Sequence, residues 1–242
     1  MNDFQFTTED FRWRGLTIRQ DNHAHKIGTD AILLAAWIPH IITSAQRILD
    51  AGTGTGIISL GLAQVFPEAY IKAVDIDLHA IHLTRKNADS AGLTHRITVA
   101  EEDLLNNSSD IKGFDLVVSN PPYYSTQRPS PDPKRKLAKH SSGPVSKWVS
   151  AMLQRMLPSG HCCVIIPATD SEKWVLAANE EGAYCTHRLD VFSFARDAMP
   201  VRSLLHFTRT LRRPEFSKLV LYRAKQKYTP EYLSFSGIQT NH

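Results

Sequence analysis

The residues best suited to chemistry in this chain stand in two short stretches, Asn120-Pro121-Pro122-Tyr123 and Asp50-Ala-Gly52-Thr-Gly54-Thr-Gly56. The first has what an exocyclic base amine would need. Such an amine delocalises its lone pair into the ring and is a poor nucleophile. An asparagine side-chain carbonyl and a neighbouring backbone carbonyl can each accept one of its N–H bonds. Pro121 and Pro122 lack backbone donors and limit φ, which stiffens the turn. Tyr123 offers a ring face for stacking, worth about 1–3 kcal/mol per base. A methyl on a sulfonium could then be displaced through placement and local electrostatics, with no metal. A solvated asparagine in a proline-rich turn would show the same four residues, so their setting decides.

The setting is the second stretch. Ile48 and Leu49 end an apolar run that reads as a buried strand, three glycines follow at every second position, and Ile57 to Val65 takes up helical periodicity. Strand, glycine turn and helix N-terminus make the mouth of a βαβ nucleotide site. The dinucleotide fingerprint needs glycine three places after Gly54, and Ile57 stands there instead. Asp50, just before the turn, would repel a pyrophosphate but attract the ammonium of a cationic ligand such as S-adenosylmethionine. Asp75, in Asp75-Ile76-Asp77, lies roughly 20 residues beyond the turn at the tip of the next strand, where ribose hydroxyls are bound. The acidic cluster Glu101-Glu102-Asp103 leaves the sheet on the same edge, within reach of an adenine ring.

The elements that must position these residues alternate. Strands are expected near Leu49, at 69–74, 96–100 and 114–119, then at 160–166; helices are expected at 57–65, 78–91, 145–157 and 171–181. This alternation requires parallel order, and the close runs at 189–194 and 203–208 suggest an antiparallel hairpin, with one more strand near 216–222. The expected fold is α/β and Rossmann-like, a seven-stranded, mostly parallel sheet with a C-terminal antiparallel hairpin. Upstream, Trp13 to Arg19 reads as one short strand around Gly15, and 31–37 as a helix with Thr29 as N-cap and Pro39 as its stop. The segment 124–144 is too broken by proline for regular structure. A single domain over 1–242 is expected: a core of 41–224, an extension, 1–40, contributing to the cofactor site, and a tail, 225–242.

At 242 residues the chain suits one sizeable core. No apolar run approaches the ~20 residues that span a bilayer, and Met1-Asn2-Asp3-Phe4 does not open a signal peptide, so a cytoplasmic protein with no membrane contact is expected. Cys162 and Cys163 are adjacent in an apolar run and would face opposite sides of a sheet, as core side chains and not a disulfide. No cysteine–histidine spacing suggests zinc.

Four stretches carry a resemblance: Lys26-Ile-Gly28-Thr29-Asp30 running to Trp37, Leu49 to Gly56, Val118 to Tyr124, and Pro200-Val-Arg202. With them the chain resembles the class I S-adenosylmethionine-dependent methyltransferases of the amine-directed N-P-P-Y group. Within that group it is most similar to the bacterial tRNA(Val) adenine-N6 methyltransferases, which modify the adenosine beside the anticodon. The resemblance implies S-adenosylmethionine as cofactor. It implies that Lys26, Gly28 and Thr29 flank the cofactor, that Asp50, Gly52 and Gly54 hold its methionine end, Asp75 and Ile76 its ribose, and that Asp103 lies by the adenine. Asn120 to Tyr123 would take the target base, Asn120 also bordering the cofactor.

The charge map favours RNA as the partner of a monomer. Arg128, Lys134, Arg135, Lys136, Lys139 and Lys147 follow the catalytic turn against Asp132 alone; Arg209, Arg212, Arg213, Lys218, Arg223, Lys225 and Lys227 come later against Glu215 alone. Arg128, Lys134, Arg135, Lys136, Arg212 and Arg213 are the expected phosphate contacts. Two other acceptors share the motifs, a glutamine side chain of a translation factor and the N2 amine of ribosomal-RNA guanine. A non-enzymatic reading, an S-adenosylmethionine-binding RNA adaptor, has no use for an amine clamp.

Overall fold

The computed structural model describes residues 10–20, 27–106, 112–122, 145–225 and 227–238. The elements follow in chain order: β1 (Phe11–Trp13), β2 (Leu16–Ile18), α1 (Thr29–Ile41), β3 (Arg47–Ala51), α2 (Ile57–Val65), β4 (Tyr70–Asp75), α3 (Leu78–Ser90), β5 (Ile97–Glu101), β6 (Phe114–Ser119), α4 (Val145–Arg155), β7 (Met156–Pro167), α5 (Ser171–Glu180), β8 (Tyr184–Phe194), β9 (Arg202–Thr208), β10 (Glu215–Ala224), β11 (Lys227–Tyr228) and α6 (Pro230–Ser236). The main sheet runs β11-β10-β8-β9-β7-β6-β3-β4-β5. β3 to β7 are parallel, and β9 enters antiparallel between β7 and β8. The expected antiparallel hairpin is β8–β9. The strand count needs correction from seven to nine: β10 is the run expected near 216–222 and lies parallel to β8, outside the hairpin, and the two-residue β11 adds an edge strand that no run in the sequence predicts.

Alternation along the strands fills two cores. Ile48, Cys163 and Ile165 face α1, α2 and α6, whereas Leu49, Cys162, Val164 and Ile166 face α4 and α5. The cysteines are free and point to opposite faces, as their adjacency predicts; burial pushes Cys162 up to about 12. The sheet order turns between β3 and β6, and the carboxyl ends of those strands, Ala51 and Ser119, open a crevice there.

The N-terminal region differs from expectation. Trp13–Arg19 is not one strand, because Arg14 (φ 49°) and Gly15 (φ 77°) turn the chain back into a hairpin between β1 and β2. The N-cap of α1 is Gly28 and not Thr29, and no side chain caps it. Pro39 does not stop α1, which closes two residues later with Ile42 N–H donating to the Ile38 carbonyl at 2.9 Å. Trp13 is buried and its Nε1 donates to the Ser236 carbonyl at 2.7 Å, so the first hairpin closes on α6 near the other end of the chain. Its ring lies against α2 where Gly61 leaves space: a Cβ there would meet Trp13 at 2.6 Å. Gly61→Ala is therefore expected to destabilise the fold by about 1–3 kcal/mol despite alanine's better helix propensity. Urea unfolding showing an unchanged or raised midpoint would contradict this packing.

At the amino-terminal side of the sheet, His161 Nδ1 lies 2.9 Å from His206 Nε2, and His206 Nδ1 lies 3.0 Å from His187 Nδ1 and 2.8 Å from Thr186 Oγ1. A register shift between Cys185 and His187 lets Thr186 and His187 both reach His206. Burial, then the neighbouring His161 and His187, push His206 down to about 3. A histidine whose folded pKa lies below its unfolded value contributes stability at pH above about 6.5 and loses it as pH falls towards the folded value. Moving from pH 7 to pH 5 should lower the Tm of the wild type more than that of His206→Gln, measured by circular dichroism. Equal shifts would locate the acid sensitivity elsewhere.

Candidate active site

The glycine turn is built from its backbone outwards. Gly52 N–H and Thr53 N–H both donate to the Val74 carbonyl, at 2.9 and 3.0 Å, and Gly54 N–H donates to Asp75 Oδ2 at 3.0 Å. Gly52, Gly54 and Gly56 have φ of 76°, 57° and 80°, a region costly for side-chain-bearing residues. Cβ atoms at Gly52 and Gly54 would meet nothing within 4 Å, whereas one at Gly56 would meet Thr84 at 2.8 Å. Thr84 Oγ1 donates to the Gly54 carbonyl at 2.9 Å, and the buried Asn87 amide donates to the carbonyls of Thr55, at 2.9 Å, and Arg19, at 3.1 Å. α3 thus supports the turn from behind.

Asp50 belongs to β3, directly before the turn. It is 0% exposed and lies at the foot of the turn, and its Oδ1 is buried with no hydrogen-bond partner among the described residues. Its Oδ2 accepts from Thr53 Oγ1 at 2.8 Å, Ser59 Oγ at 2.6 Å and Ser59 N–H at 3.2 Å. Burial pushes the carboxyl up to about 6, against the opposing pull of the Ser59 and Thr53 hydrogen bonds. Through Oδ2, Asp50 fastens the turn to the start of α2.

Above the turn lies a cavity of about 370 Å³. Its walls include Gly28, Asp30, Gly52, Thr53 and Gly54 on one side and Asn120, Pro121, Pro122 and Trp148 on another. Five carboxylates line it, Asp30, Asp75, Asp77, Glu102 and Asp103, with no lysine or arginine among the described lining residues. That balance opposes a pyrophosphate and suits a sulfonium ligand with an ammonium. Asp75 uses Oδ1 to accept from Asp77 N–H at 3.0 Å and Oδ2 for Gly54, and a carboxylate's remaining lone pairs could accept ribose hydroxyls. Ile76, Leu104 and Leu105 supply apolar walls that fit a purine, with Asp103 beside them holding Leu105 N–H at 2.9 Å. The residues present fit S-adenosylmethionine.

Asn120 and Pro121 follow β6 directly, and Ser119 Oγ donates to the Ala51 carbonyl at 2.7 Å, tying the amine-clamp turn to the glycine strand. Of the residues expected at the cofactor, the structure brings together Gly28, Gly52, Gly54, Asp75, Ile76, Asp103 and Asn120; Thr29 is not part of the lining. Lys26, Tyr123, Arg128, Lys134, Arg135 and Lys136 lie outside the described residues. Arg212 and Arg213, expected as phosphate contacts, are not part of the cavity lining. They follow the amino-edge end of β9, and Arg212 acts electrostatically on His161 and His206. His161 is level with Leu116, four residues before Asn120, about 13 Å down β6 at the strand rise.

Two acids that the sequence places near the site, naming no partner for either, complete it. Asp30 lines the cavity and pairs with Arg202 Nε at 2.9 Å across the sheet. Glu102 lies 3.4 Å from Lys72 and 3.7 Å from the buried Arg155. Pro200-Val-Arg202 was one signal for the first pair; nothing in sequence spacing points to Thr84, Asn87 or Trp148.

The methyltransferase small domain family matches residues 24–143, a span that runs from just before Gly28 to beyond the Asn120 turn. The fold and this cavity are those of a class I S-adenosylmethionine-dependent methyltransferase. The tRNA m1G37 methyltransferase of M. jannaschii shares the fold, with a TM-score of 0.61 at 17% identity, covering 86% of this chain and 58% of that one. Much closer in sequence is the tRNA1(Val) (adenine(37)-N6)-methyltransferase of Phocaeicola vulgatus, 34% identical over 93% of this chain and 95% of its own. The enzyme of that name from Aeromonas hydrophila is 32% identical over 94% and 95%. The chain belongs to the family of tRNA1(Val) (adenine(37)-N6)-methyltransferases.

Proposed function

We propose that this chain methylates the N6 amine of an adenosine in tRNA, adenosine 37 of tRNA1(Val), and that it works as a monomer in the cytoplasm. The observation that carries the reading is that Asn120 and Pro121 border the same cavity as the glycine turn and Asp75. When bound, S-adenosylmethionine supplies an electrophilic methyl on a sulfonium. Asn120 holds the amine by accepting one N–H bond on its side-chain carbonyl, and a turn carbonyl accepts the other. The prolines keep both acceptors in place, and Tyr123 stacks on the base. The Gly52–Gly54 backbone takes the methionine end, Asp75 the ribose and the Ile76–Leu104 walls the adenine. The names of the relatives support the choice of tRNA.

Incubation with methyl-labelled cofactor and separated tRNA, ribosomal RNA and protein fractions tests the reading. Label is expected in tRNA as N6-methyladenosine at position 37. Label in glutamine of a protein, or in N2-methylguanosine of ribosomal RNA, would move the same chemistry to another acceptor. Cofactor binding with no transfer to any fraction would favour the adaptor reading.

A further inference from the structure

The carboxyl rim of the sheet continues beyond the cavity along β9, β8 and β10, and there its charge changes sign. Arg202 opens β9 opposite Pro167 and Val191. Past that level stand Arg196, in the connection from β8 to β9, and Arg223, Lys225 and Lys227 around the connection from β10 to β11; all four are exposed. The acids nearby have work within the protein: Asp30 pairs with Arg202 at 2.9 Å, and Asp197 Oδ2 accepts from Phe194 N–H at 2.9 Å.

Rings stiffen this rim. Phe194 and Tyr222 lie 5.7 Å apart, Tyr222 and Tyr228 5.0 Å, and Tyr228 and Tyr232 4.8 Å, while the Arg196 guanidinium sits 5.0 Å over Phe194. A flexible cation loses entropy when it meets a phosphate, and backbone anchored by packed rings reduces that cost. From β6 to β10 is four strand spacings, about 19 Å, long enough for several phosphates.

The second basic group lies elsewhere and is partly engaged. Arg209 donates to the carbonyls of Glu181 and Leu153, and Arg212 stands near His161 and His206 at the opposite side of the sheet. One basic stretch in the sequence, from Arg209 to Lys227, is thus divided by the length of β10 into an amino-edge group and a rim group.

We propose that the rim of Arg196, Arg223, Lys225 and Lys227 carries the sugar-phosphate backbone of the substrate RNA away from the base at Asn120, and that Arg212 and Arg213 do not. The inference rests on RNA being the substrate. It is tested with two variants of the full chain, one with Arg196, Arg223, Lys225 and Lys227 all changed to Gln, the other with Arg212→Gln and Arg213→Gln. Binding of tRNA is followed over a series of salt concentrations, with circular dichroism and S-adenosylmethionine affinity as checks of the fold.

The rim variant is expected to bind tRNA at least tenfold more weakly at low salt. The slope of log K against log salt should fall by about 3, each lost phosphate contact removing roughly 0.7–0.9. The amino-edge variant should keep the wild-type slope. An unchanged slope in the rim variant, or an equal loss in the amino-edge variant, overturns the assignment while wild-type methylation of tRNA leaves the RNA reading standing. A wild type that neither binds nor methylates tRNA overturns both.

Discussion

Asn120→Ala is expected to lower kcat for tRNA methylation by on the order of 10²–10³-fold, the usual cost of removing one preorganised hydrogen-bonding partner of a transition state. S-adenosylmethionine affinity should change little, since the glycine turn and the five lining carboxylates remain. The amine's lone pair is conjugated with the ring and becomes available only as the nitrogen is held out of that conjugation. The Asn120 carbonyl does this by accepting one N–H bond, so its loss falls on the chemical step. Asn120→Asp keeps an acceptor and should be milder, although it adds a charge to a cavity already lined by five carboxylates. Tyr123→Phe should keep most activity and Tyr123→Ala should weaken base binding, because the ring face does the stacking. Single-turnover rates with saturating cofactor separate these effects. Wild-type turnover in Asn120→Ala would remove the amine-clamp account, and equal damage from the two Tyr123 variants would remove the stacking account.

Asp50→Ala should damage stability and cofactor binding together, since the buried carboxylate serves three donors, Thr53 Oγ1, Ser59 Oγ and Ser59 N–H. Leaving buried donors unmet costs about 1–3 kcal/mol each, so unfolding should shift by about 3 kcal/mol or more. Asp50→Asn keeps an acceptor oxygen and separates shape from charge. The Asp50 carboxyl is raised to about 6 in the folded chain from an ordinary 3.8. A carboxyl with a raised folded pKa contributes most below its unfolded value and loses that contribution as pH rises through the folded value, here about 3 kcal/mol. Asp50→Asn should therefore gain stability relative to wild type between pH 4 and pH 7. His206 has the opposite slope over part of this range, so the comparison must be between variants and not along one pH curve.

The same ionisation bears on binding. A cation at the turn favours the charged carboxylate, so wild-type affinity for S-adenosylmethionine should rise from pH 5 to pH 7 with proton release. Asp50→Asn should lack this dependence. Calorimetry finding the same pH dependence in both would disconnect Asp50 from the ligand's charge.

The residue types of the two motifs determine much by themselves. Period-two apolar runs and capped helical runs are local signals, and their alternation already requires a parallel sheet with its ligand at the carboxyl ends. Three glycines between Asp50 and Ile57, with Asp75 beyond, identify the nucleotide crevice because only backbone free of side chains turns there with positive φ. Asn120 at the end of β6 was legible for the same reason: strand register delivers its neighbours to known edges.

What tertiary structure alone decided are distances between parts remote in sequence. Asp50 reads as a ligand for a cation, but only the fold shows that Thr53 and Ser59 take its Oδ2 and leave its Oδ1 without a partner among the described residues. Arg209 to Lys227 reads as one basic surface, yet β10 carries one end of it to the rim and leaves the other at the amino edge. Asp30 meets Arg202 across 172 positions where the start of α1 reaches the start of β9, and Trp13 meets Gly61 and Ser236 because the first hairpin packs between α2 and α6. Composition and spacing specify which elements form and which chemistry they carry. Only the packing of one element against another specifies which polar atom is spent on holding the fold and which is left for the ligand.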